Sequence, residues 1–72
     1  METTETVSIV VNGEPKSAAS SLTVSQLLET LGLHAGRVAI ERNLQILPRS
    51  EWATTQVAAG DRYEIVQFVG GG

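Results

Sequence analysis

Seventy-two residues with 42% hydrophobic content make one small domain, too short to fill a core and also enclose a substrate cavity. Eight acids against five bases give a net charge of −3, and the bases Lys16, Arg37, Arg42, Arg49 and Arg62 are scattered, which disfavours a nucleic-acid partner. With no cysteine there is no disulfide, thiolate metal site or redox centre, and the single His34 rules out a histidine-rich metal cluster.

Residues 1–5 read as a disordered leader, polar and acidic, without the basic start or apolar segment of a secretory signal. No apolar run approaches the length of a membrane span, so the expected compartment is the cytoplasm and no membrane contact is expected. Val7, Ile9 and Val11 alternate with Ser8 and Val10, which predicts a strand with its odd positions facing the core. Asn12-Gly13 then signals a type I′ hairpin, since both residues tolerate the positive φ that this turn requires. Glu14 to Ala19 is the returning strand, and Pro15, lacking an amide hydrogen, belongs at its start or on a sheet edge.

Thr23 and Gln26 fit a capping box. Val24, Leu27, Leu28 and Leu31 follow at helical spacing, and Gly32 is placed to end the helix in a left-handed conformation. His34 falls in the loop beyond, where an exposed histidine is the expectation. Val38, Ala39 and Ile40 predict a third strand broken by Asn43, and Leu44 to Leu47 a short fourth one ending before Pro48. Ser50 is positioned to cap a short helical turn through Glu51, Trp52 and Ala53, with Trp52 as a plug at the core or its rim. Gly60-Asp61 is a turn that delivers the chain into a last strand, Tyr63 to Val69.

These elements predict an α+β fold, a mixed sheet of four to five strands with one helix across one face. The first and last strands, both strongly apolar, pair in parallel at its centre, which is the β-grasp arrangement. Residues 6–69 form this domain and Gly70, Gly71 and Gly72 a flexible extension. Two readings of that extension stand side by side. It is either a frayed terminus or a device for threading the Gly72 carboxylate into an active site on another protein.

The Val11-Asn12-Gly13-Glu14 hairpin, the Ile46-Leu47-Pro48-Arg49-Ser50-Glu51-Trp52 segment and the Gly60-Asp61 turn leading to Gly71-Gly72 carry a family resemblance. From Val7 to Gly72 the chain resembles the ubiquitin-like sulfur carriers, and among them the ThiS-type carriers of thiamine biosynthesis. Gly70 adds a third glycine where some relatives have another residue.

The resemblance implies a carrier that binds no cofactor and is itself no enzyme. An adenylyltransferase related to ubiquitin-activating enzymes would use ATP to adenylate the Gly72 carboxylate. A sulfur donor of the cysteine desulfurase type would convert it to a thiocarboxylate, and thiazole synthase would consume the sulfur. A carboxyl with an intrinsic pKa of about 3.3–3.7 is ionised and inert to nucleophiles at neutral pH, so activation is required. With Tyr63 and Ile65 facing the helix, Val66 and Phe68 face out on the opposite side, and Val66 falls where ubiquitin-like proteins keep an exposed apolar docking residue. Partner contact is thus expected at Val66, Phe68, Val69, Gly70 and Gly71. The small subunit of molybdopterin synthase, a protein modifier and a plain interaction module are the alternative readings.

Overall fold

The computed structural model describes residues 5–68. Strand β1 (Thr6–Val11) turns through Asn12 and Gly13, at φ +50° and +84°, into β2 (Glu14–Ala19). Helix α1 (Val24–Thr30) and a 3-10 turn (Ala35–Arg37) lead to β3 (Val38–Arg42) and the two-residue β4 (Gln45–Ile46). A second 3-10 turn (Arg49–Glu51) precedes β5 (Arg62–Gln67). The strands form a single sheet in the order β2-β1-β5-β3-β4. β1 and β5 run parallel in register Val10↔Arg62 and Val11↔Tyr63, while every other neighbouring pair is antiparallel. Pro15 lies on the edge strand β2, where its missing donor costs no ladder bond.

The helix is short, and its neighbours supply what its length cannot. The Thr23 hydroxyl accepts from the Gln26 amide while the Gln26 side chain accepts from the Thr23 amide, so the expected capping box is formed. The next amides, on Val24 and Ser25, donate to the carbonyls of Thr55 and Trp52, so the 52–57 segment serves as a second cap. Gly32, at φ +73°, ends the helix as anticipated. Val24, Leu27 and Leu28 bury their side chains against Ile9, Val11, Val38, Ile40, Tyr63 and Ile65 of the sheet. Trp52 is buried at the rim of this core, its indole Nε1 donating to the Leu47 carbonyl at 2.9 Å, with the Arg49 guanidinium 5.6 Å from the ring centre.

Three local expectations need correction. Ser50 does not cap a turn through Ala53; it lies inside the 3-10 turn, which opens at Pro48 without a side-chain cap. Proline's fixed φ, here −61°, starts the turn earlier, and the Glu51 amide closes it on the Pro48 carbonyl. Glu5, placed in the leader, already joins the sheet region, its carbonyl accepting from the Ser20 amide at 2.9 Å. Residues 1–4 lie outside the described part of the chain.

Leu44 belongs to the β3–β4 turn and not to a strand. A two-residue hairpin connection requires positive φ at both central positions, and Asn43 and Leu44 adopt φ +53° and +71°. For asparagine this is tolerable; for leucine it costs about 1–2 kcal/mol. Replacing Leu44 by Gly removes the strain, at some cost in unfolded-state entropy, and should raise the melting temperature by about 2–5 °C in a domain of this size. Differential scanning calorimetry of Leu44→Gly checks this; a lower melting temperature would mean that the exposed leucine packs usefully.

Candidate functional site

The sheet has two faces and only one carries the helix. On β5 the odd positions Tyr63 and Ile65 are buried under α1, and the even positions Glu64 and Val66, with Phe68 just past the strand, are exposed, as the alternation predicts. Val66 is 58% exposed and Phe68 55%, values high for large apolar side chains on a strand in the middle of a sheet. The neighbouring strands extend this surface. Ala39 stands beside Val66, Glu41 beside Glu64, and Ile46 of β4 beside Glu41. Together these side chains line a shallow groove of about 280 Å³ on the helix-free face.

The chain leaves the sheet next to this groove. Beyond β5 the Phe68 amide still donates to the Arg37 carbonyl at 2.8 Å, so the ladder holds the backbone one residue past the strand. Phe68 is thus a fixed point of the backbone within the groove lining. Val69, Gly70, Gly71 and Gly72, the remaining candidate residues, lie outside the described part of the chain. His34 is exposed in its loop, as expected.

Two side chains fix where β5 lies, and sequence reasoning gave neither this role. The Asn12 side chain pairs with β5 as a peptide group would. Its Oδ1 accepts from the Ile65 amide at 2.7 Å and its Nδ2 donates to the Ile65 carbonyl at 3.2 Å. This continues the β1–β5 ladder past the point where β1 turns away.

Asp61 is the second. It is 4% exposed, and its carboxylate accepts four hydrogen bonds from four parts of the chain. Oδ2 accepts from the Tyr63 hydroxyl at 2.7 Å, the Ala58 amide at 2.9 Å and Arg42 Nε at 3.0 Å. Oδ1 accepts from Asn43 Nδ2 at 3.2 Å. Asn43 in turn accepts from the Arg62 amide at 2.9 Å. One carboxylate thus ties the entry of β5 to β3, to the β3–β4 turn and to the preceding loop. The only sequence signal was an acid directly after a turn glycine.

The energetics follow from the burial. Burial pushes the Asp61 carboxyl up, but the hydrogen bonds from Tyr63, Ala58, Asn43 and Arg42 outweigh it and hold the group below its ordinary value near 3.8. Burial, and then the bond to Asp61, push the Tyr63 phenol up to about 12. Three of the four donors go to Oδ2 and one to Oδ1, and Asp61 is not among the residues that line the groove, so its part here is to position β5.

The architecture defines a β-grasp domain of the ubiquitin-like class. Residues 9–72 match the model of the ThiS family, and the chain belongs to that family. A crystal structure of the thiamine biosynthesis protein ThiS from Geobacter metallireducens superposes with a TM-score of 0.78 at 38% identity, covering 92% of this chain and 100% of that one. The sulfur carrier protein ThiS of Escherichia coli is 36% identical over 64 residues, 89% of this chain and 97% of that protein. A thiazole synthase from Paramagnetospirillum magneticum is 48% identical over 64 residues, 89% of this chain. The chain spans only 20% of that longer protein's length.

Replacing Asp61 by Ala strands buried donors on Tyr63, Ala58 and Arg42. The expected loss is about 2–4 kcal/mol, a large share of the roughly 4–10 kcal/mol available to a domain of this length. The pH dependence has a definite sign. A carboxyl whose folded pKa is depressed contributes fully above pH 3.8, and the contribution is lost as pH falls through the lower folded value. The raised Tyr63 phenol contributes fully below pH 10 and ceases to as pH rises toward 12. Urea denaturation across pH should show both limbs, with the acid limb flattened in Asp61→Asn; an unaltered acid limb would contradict the assignment to Asp61.

Proposed function

We propose that the chain is a sulfur carrier of thiamine biosynthesis whose working group is the Gly72 carboxylate. The observation that carries the reading is the family match over residues 9–72, together with a likeness along nearly the full length of a protein named as a sulfur carrier. The chain is on this reading a substrate of partner enzymes and binds no cofactor of its own.

The chemistry has three steps. A carboxylate oxygen of Gly72 attacks the α-phosphorus of ATP on an adenylyltransferase, expelling pyrophosphate and giving an acyl-adenylate. The terminal sulfur of a cysteine-derived persulfide attacks the acyl carbon and expels AMP. A thiol then attacks the cysteine sulfur of the resulting acyl disulfide, forming a new disulfide with it and releasing the thiocarboxylate, whose sulfur thiazole synthase takes for the thiazole ring. Gly72 has no Cβ to obstruct attack at its carbonyl, and Gly70 and Gly71 allow backbone conformations that other residues avoid. The acid, base and metal needed come from the partners, and the cytoplasm is the compartment we assign.

The groove around Val66 and Phe68 is the docking surface on this reading. It is apolar and exposed, and it adjoins the point from which Val69 and the glycines depart. The thiazole synthase likeness supports a thiazole synthase as one partner, since that relative contains a segment similar to this chain within its longer length.

Incubation with ATP, an adenylyltransferase and a persulfide donor should raise the intact mass by the exchange of one oxygen for one sulfur, localised to Gly72 by fragmentation. An unchanged mass with an enzyme that is active on another carrier sinks the proposal. Phe68→Asp should weaken adenylyltransferase binding about tenfold or more, while its thermal stability shifts by no more than about 0.5–1 kcal/mol. Loss of folded structure in that variant, seen by circular dichroism, would reassign Phe68 to the fold.

A further inference from the structure

The groove carries a feature that its apolar lining does not explain. Glu41 on β3 and Glu64 on β5 are direct cross-strand neighbours, and both side chains line the same groove. Directly opposed side chains on adjacent strands sit with Cβ atoms about 4.5–5.5 Å apart, and like charges so placed repel. Among the described residues the ion pair formed is Arg42–Asp61, which lies at the entry of β5 and engages neither glutamate. Arg62 lies two residues before Glu64 on the same face of β5, and its backbone meets Asn43, two residues beyond Glu41, but among the described residues it forms no ion pair with either glutamate. An apolar groove with two adjacent carboxylates in its lining, neither in an ion pair among the described residues, is complementary to a cation flanked by apolar surface.

The shape narrows the ligand. About 280 Å³ lies just below the range for small-molecule pockets, about 300–1,000 Å³, and this groove is open to solvent along the sheet. It therefore fits side chains of a protein partner better than an enclosed ligand. A guanidinium spans two acceptors with its planar fork, whereas an ammonium is a point charge, so arginine is the better match to two side-by-side carboxylates.

Resting on the carrier reading above, we propose that the groove receives an arginine of thiazole synthase. Its guanidinium lies between Glu41 and Glu64, and an adjoining apolar side chain packs on Ile46, Val66 and Phe68. Thiazole synthase is assigned as occupant because a relative of that name keeps a segment 48% identical to this chain within its own sequence, which places this fold and that enzyme together. The pair of glutamates then fixes orientation and the apolar groove supplies contact area, a division common at protein interfaces.

The test is calorimetric titration of the full chain into purified thiazole synthase and, separately, into the adenylyltransferase, at low and at high salt. The double variant Glu41→Gln/Glu64→Gln should bind thiazole synthase about tenfold or more weakly and show a flatter salt dependence. Its melting temperature should be equal or higher, because the repulsion between the two carboxylates is gone; this separates docking from folding. Unchanged affinity for the synthase overturns the proposal. A loss confined to the adenylyltransferase overturns the choice of occupant. Thiocarboxylate formation by the same preparations reports on the carrier reading independently. A wild-type chain that is converted, but whose synthase affinity ignores the glutamates, defeats this inference alone. One that is never converted removes the carrier reading and this inference with it.

Discussion

The Asp61 carboxylate is the constraint from which the rest of the sheet takes its geometry. A domain of this size has little apolar area to spare, so the position of its central strand cannot be left to packing alone. Four donors from β3, the β3–β4 turn, the loop before β5 and β5 itself converge on one buried acid. A buried carboxylate is costly unless its oxygens are hydrogen-bonded, and here the donors come from four separate segments, three on Oδ2 and one on Oδ1. The network thus helps to lock the register of β5. The left-handed turn at Asn43 and Leu44 is part of the same lock, for Asn43 both donates to Asp61 and accepts from Arg62.

From that register follows the functional surface. Because side chains alternate on a strand, fixing Tyr63 and Ile65 beneath the helix forces Glu64, Val66 and Phe68 to the open face. A slip of one residue would bury the glutamate and expose the tyrosine. Asn12 works in the same sense from the other side, holding Ile65 after β1 has turned away. The point of departure of the last four residues, at Phe68 against Arg37, is therefore set by buried polar groups many residues removed from it in sequence. Scaffold and docking face are one mechanical unit.

Much of this was legible in the chain itself. The Asn12-Gly13 turn, the Thr23–Gln26 box, the Gly32 stop and the outward-facing Val66 and Phe68 all rest on local rules, and the structure bears each out. Where local rules compete, sequence reading erred. Ser50 is a good cap by type, yet the rigid backbone of Pro48 starts the turn before it. Leu44 is a good strand residue by type, yet hairpin geometry places it at positive φ. The triple glycine Gly70-Gly71-Gly72, which points to the Gly72 carboxylate, lies outside the described part of the chain.

The sequence by itself determined most of the elements and the face each buries, because periodicity, turn chemistry and capping act over a few residues, and the apolar character of the first and last strands pointed to their pairing. Only the tertiary structure decided what Asp61 and the Asn12 side chain do, and that Glu41 and Glu64 stand side by side beside an apolar groove. Asn12 and Ile65 are 53 positions apart, and Arg42 and Asp61 are 19. No local preference encodes such a contact. It exists because the sheet brings distant strands within hydrogen-bonding distance, and a buried polar group takes whichever partners the folded chain presents to it.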